Sequence, residues 1–130
     1  MSDFTNTYED RIVNKVLRNT DYTSDATIYV ALFSAWADVE NGTGTEITGT
    51  GYSRQTVTFS APSNGATSNS GAITWTNSSG STWTITHIAL MNHASTNTTA
   101  NYIMGKTFSK SVPNGDTLTI AIGDLDVTVA

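Results

Sequence analysis

The segment TIYVALFS at residues 27–34 constrains this chain more than any other. Ile28, Val30 and Leu32 fall on one face of an extended strand, and Tyr29, Ala31 and Phe33 fall on the other. A strand that is apolar on both faces has to be covered on both, so this one reads as an interior strand. The apolar run 28–33 is far shorter than the ~20 residues a membrane-spanning helix needs.

Around that strand the hydrophobic period is two almost everywhere. Strands are expected at 52–59, 71–76, 82–91, 102–109, 116–122 and 125–129, and residues 35–51, with four glycines, read as a long loop. In 82–91 the alternation puts Trp83, Ile85, His87, Ala89 and Met91 on one face and Ile88 and Leu90 on the other. Val112-Pro113-Asn114-Gly115 has the residues of a hairpin turn. Leu118, Ile120 and Ile122, then Leu125, Val127 and Val129, are expected to point inward, with a turn or bulge at Gly123-Asp124 where the parity changes.

One segment has helical spacing instead. Over residues 5–19, Tyr8, Ile12, Val13, Val16 and Leu17 share a face, Asn6 with Glu9 (or Thr7 with Asp10) can cap the start, and Asn19 ends the pattern. Five such side chains, each contributing about 1.5–3 kcal/mol when buried, suggest a helix packed on its own sheet. Met1 to Thr5 then precede the cap as an arm with Phe4 as its anchor. The expected architecture is mainly β: a single-domain antiparallel β-sandwich of about seven strands over 27–130, with one N-terminal α-helix within 1–19.

Composition bears on function. The 130 residues include no cysteine, which excludes disulfides, thiolate metal sites and cysteine nucleophiles. Six basic residues stand against eleven acidic ones, a net charge of −5, which argues against nucleic-acid or anionic-membrane binding. Residues 55–105 contain no Asp, Glu, Lys or Arg, while Thr (24), Ser (14) and Asn (11) dominate the chain. A surface of hydroxyls and amides does not repel copies of itself, and interface centres are depleted of charge. The composition therefore points to a module that packs against other protein. The opening MSDFTNTYED has no apolar leader stretch, which predicts synthesis in the cytoplasm.

No catalytic constellation stands out. His87 has no neighbouring nucleophile or acid in sequence and reads as a hydrogen-bonded histidine in or beside the core. Asp124 and Asp126 resemble half of a calcium loop without its other ligand positions. Asp116 and Glu46 have no visible partner. The glycines of GTGTEITGTGY lack the spacing and the lysine of a phosphate cradle. Trp75 and Trp83 have the phase of core residues; Trp36, beside the long loop, is the one expected to touch a ligand or partner. No enzyme activity, cofactor or metal is expected.

Taken in order, YEDRIVNKVLRN, ATIYVALFSA, GTEITGTGYSRQTVTFSAPSNGATSNSGAITW, WTITHIALMN and KSVPNGDTLTIAIGDLDVTV cover nearly the whole chain. Together they resemble a family of small tailed-phage virion structural proteins, tail-fibre-like or decoration-like. The most specific piece is Gly51-Tyr52-Ser53-Arg54-Gln55 followed by Val57-Thr58-Phe59. At Ser34-Ala35-Trp36-Ala37-Asp38 the chain departs from relatives that are richer in proline. The resemblance implies a non-enzymatic virion component whose partners are other virion proteins, major capsid protein or tail components, together with copies of itself. A small module without the repeats of a fibre shaft favours a capsid decoration (cement) protein over a tail-fibre, baseplate or carbohydrate-binding subunit. Phe4, Trp36, Tyr52 and Arg54 are the candidate interface residues.

Overall fold

The computed structural model describes residues 4–38, 40 and 43–129. Among them one helix, α1 (Asn6–Leu17), precedes nine strands: β1 (Ile28–Asp38), β2 (Thr43–Glu46), β3 (Gln55–Val57), β4 (Ala66–Ser68), β5 (Ile73–Thr76), β6 (Trp83–Met91), β7 (Tyr102–Val112), β8 (Thr117–Ile120) and β9 (Asp126–Thr128). The protein is mainly β, and every strand pairing is antiparallel.

The largest sheet runs β2-β1-β6-β7, with β3 pairing the first part of β1 and β2 the last. Two ribbons, β4–β9 and β5–β8, complete the fold. β1 is interior, as its two apolar faces require. Val30 and Leu32 join Ile88, Leu90 and the ribbon residues Ile73, Trp75, Leu118, Ile120 and Val127 in one core. Ala31 and Phe33 join Ala89, Met91 and Tyr102 in a second, with Tyr29 and Trp36 at its rim. Trp75 and Trp83 are buried in the first core, in line with their phase.

Four expectations are corrected. First, the 35–51 segment is not all loop: β1 continues to Asp38 and β2 pairs it, Phe33 opposite Glu46 and Trp36 opposite Gly44. Gly44 hides this strand from propensity, yet it belongs there because a Cβ would lie 2.8 Å from the carbonyl oxygen of Ala35. Second, β6 does not keep one parity. A register irregularity between Ile85 and His87 puts Trp83, Ile85, Ile88 and Leu90 together in the first core and turns Ala89 and Met91 to the second. Third, the Pro113 turn is not a hairpin. The amide of Asp116 reaches Pro113 O at 3.0 Å with Gly115 at φ +91°, but β8 pairs β5, so the turn carries the chain from the sheet to a ribbon. Fourth, Ile122 and Val129 are exposed, because β8 ends at Ile120 in a turn with Gly123 at φ +84° and Val129 lies past β9.

The helix departs furthest from expectation. Thr5, not Asn6, is its N-cap residue, and no side chain caps it; Thr5 Oγ1 instead donates to Tyr102 O at 2.7 Å. The expected intramolecular packing of its apolar face is not found. Tyr8 is buried, whereas Val13, Val16 and Leu17 are 48%, 71% and 76% exposed and Ile12 is 37% exposed. The reason lies in the return segment. After Asn19, at φ +52°, the chain doubles back along the basic side of the helix, where Lys15 meets Asp21 and Arg11 meets Asp25 at 3.7 Å. The helix thus shows its own chain a charged side.

Candidate functional site

The GYSRQ motif builds a buried polar knot. Gly51 has φ +91°, and a Cβ there would lie 2.3 Å from Thr76 O, so the turn leading into β3 requires glycine. The turn delivers Tyr52 and Arg54 to Glu46 at the end of β2. Arg54 donates from Nε to Glu46 Oε2 at 2.9 Å and from an Nη to Oε1 at 2.8 Å, a two-point pair. Its other Nη donates to His93 O at 2.7 Å and Thr96 O at 3.0 Å, tying down the 92–101 loop. Tyr52 Oη donates to Glu46 Oε2 at 2.5 Å and accepts from the amide of Leu32 at 3.1 Å.

Burial, followed by the nearby Glu46 carboxylate, raises the Tyr52 phenol far above its ordinary value. The same two causes in the same order push Tyr102 up to about 12. Burial works against the Arg54 charge, but the Glu46 carboxylate outweighs it and the pKa rises. Glu46, seen in sequence as a carboxylate without a partner, is the centre of the knot; the missed strand β2 concealed it.

The candidate interface residues are placed as follows. Arg54 has 1% of its side chain exposed and Tyr52 packs edge-on to Trp83, so both act within the chain. Trp36 is half-buried. It meets Phe33 and Tyr102 edge-on at 4.6 and 5.1 Å between ring centroids, and Gly105 leaves room for its indole, since a Cβ there would lie 2.9 Å from it. His87, beside that indole at 5.8 Å, shares a hydrogen bond with Thr86 Oγ1. Phe4 bridges Met104, and the Thr5 amide donates to Ile103 O at 2.9 Å. These two residues therefore extend the edge of β7 and are not part of a free arm, since an open strand edge offers backbone partners. Met1 to Asp3 lie outside the described residues.

Tyr8 is the hinge between helix and sheet. Its Oη donates to Asp25 Oδ2 at 2.6 Å and accepts from Asn92 Nδ2 at 2.8 Å, and Arg11 lies 4.4 Å over its ring. Burial first, then Asp25, raises this phenol as well. The first turn of α1 is thus anchored, while the apolar stripe Ile12, Val13, Val16 and Leu17 faces outward. Sequence reasoning found the stripe but expected the chain's own sheet to cover it, which it does not.

The described residues thus form a small antiparallel β body with a buried knot that organises loops and a helix whose apolar stripe faces outward. The class comes from the comparison with protein families: a family model described as podophage GP4 fiber I protein gp80 matches residues 3–128. The chain belongs to this family of podophage fibre proteins. No curated protein matches it.

Proposed function

We propose that the protein is a subunit of a podophage tail fibre, acting by binding and not by catalysis, and attached to its neighbours through the apolar stripe of α1. The exposed stripe carries this reading: three large aliphatic side chains about half or more exposed on one short helix are costly in an isolated chain and useful in an interface. The fibre name of the family favours this location over capsid decoration. In this reading Phe4 fixes the β7 edge, Arg54 fixes the 92–101 loop, and Trp36 and Tyr52 pack within the body that carries the helix.

Labelled protein on intact particles tests the location. Label confined to the tail, at a few copies per particle, is the expected result; label covering the shell at one or more copies per capsid subunit would establish decoration instead. Val16→Glu with Leu17→Glu tests the surface: the variant should fold with an unchanged melting temperature and fail to enter particles.

A further inference from the structure

A second surface is set apart by charge. Of the six cations, four have side-chain partners: Arg11 with Asp25, Lys15 with Asp21, Arg18 with Asn14 and Arg54 with Glu46. The side chains of Lys106 and Lys110 have no hydrogen bond or ion pair among the described residues. Both line one groove of about 390 Å³, between the edge of β7 and the β5–β8 ribbon. Register explains the convergence. Lys106 lies opposite Ile88 and Lys110 opposite Ile85, so both stand on the core-facing side of an edge strand, where the layers part.

The other walls define what fits. Phe108, half-buried, offers an apolar ring surface between the two lysines; Ser109, Thr119 and Asp124 add hydroxyls and a carboxylate. Two cations alone would suit any anion. A carboxylate in the same groove disfavours a compact polyanion and suits a ligand that also donates hydroxyl protons. Four residues along a strand span about 13 Å, somewhat less across a bulge, which is longer than a single phosphate can bridge. The volume falls within the ordinary range of ligand sites, about 300–1,000 Å³.

We infer that this groove binds an acidic oligosaccharide. Its anionic groups meet Lys106 and Lys110, a sugar face lies on Phe108, and hydroxyls donate to Asp124 and Ser109. The inference deepens the fibre reading and rests on it only for where such a glycan is met, at a host surface. The shared chemistry is a sugar bearing an anion, whether carboxylate or phosphate. An inward lysine on an edge strand also blocks unwanted strand pairing; that role alone requires no ligand.

Titration calorimetry on the full chain at low salt tests it with trigalacturonate, mannose 6-phosphate, maltotriose and poly-glutamate. Binding of trigalacturonate, weakened by added salt and at least tenfold weaker in Lys106→Gln/Lys110→Gln with an unchanged melting temperature, is the expected result. Tighter binding of mannose 6-phosphate, a single sugar with one anion that cannot reach both lysines, would overturn the oligosaccharide assignment. Phe108→Ser should also weaken binding, with the lysines intact. Equal binding of maltotriose, equal binding of poly-glutamate, no binding of either acidic sugar, or full binding by the double variant would each overturn the assignment. Because the assay uses isolated protein, its outcome is separate from the location of the subunit on the particle.

Discussion

Arg54 shows how one residue can fix several segments. Its guanidinium joins the end of β2 to two carbonyls of the 92–101 loop while almost wholly removed from water. Removing one partner of such a pair leaves the other charge poorly solvated, so Arg54→Ala is expected to cost about 3–5 kcal/mol by urea unfolding. A loss below 1 kcal/mol would show the pair to be peripheral. The phenols make a pH prediction. A group whose folded pKa lies above its unfolded value near 10 stabilises the fold fully below about pH 10, and that contribution is lost as pH rises through the folded pKa. Tyr102, raised to about 12, together with Tyr8 and Tyr52, raised further, should make the melting temperature fall above pH 10. Absorbance at the phenolate band should show these three ionising above the ordinary phenol value near 10. The importance of Tyr52 and Arg54 was legible in the GYSRQ motif; their partner was not, because Glu46 sits in a strand built of Thr and Gly.

Elements were legible where one residue pattern left one choice. β1 has apolar side chains on both faces and lies in the interior with both faces covered. Leu32→Ala should therefore cost about 2–5 kcal/mol, and a surface-like loss would contradict its burial. β6 was half legible, because alternation predicts parity but not the irregularity that reverses it after Ile85. β4 was missed because a three-residue polar strand has too few side chains to show a period. For α1 the pattern gave the stripe correctly, yet periodicity does not say what covers a stripe. The return segment meets the helix on its basic side through Asp21 and Asp25, the Lys15–Asp21 pair being itself exposed, and leaves the stripe uncovered. Val13→Ser should consequently change stability by less than about 0.5 kcal/mol, in contrast with Tyr8→Ala, which removes the buried anchor and should cost about 3–5 kcal/mol.

For the whole molecule, composition pointed to assembly, and the family is one of podophage fibre proteins. The uncharged stretch 55–105 extends from β3 through β6 to the first residues of β7 and holds much of the first core. Buried asparagines take the place of charges at its joints: Asn77 Nδ2 donates to Val112 O and Ser81 O, both at 2.8 Å, and Asn69 Nδ2 holds Ala121 O at 3.0 Å. Dipoles of this kind are barely altered by dissolved ions, whereas exposed ion pairs are screened over roughly 10 Å at 0.1 M salt. The ion pair closest to the core, Arg54 with Glu46, is shielded by its own burial. A body built this way is tolerant of ionic strength: its melting temperature should move by less than about 2 °C between 0.02 and 0.3 M sodium chloride, a small shift for a domain of this size. A particle released from its host meets water of whatever salinity surrounds the next cell, and such a subunit would meet it with its shape unchanged.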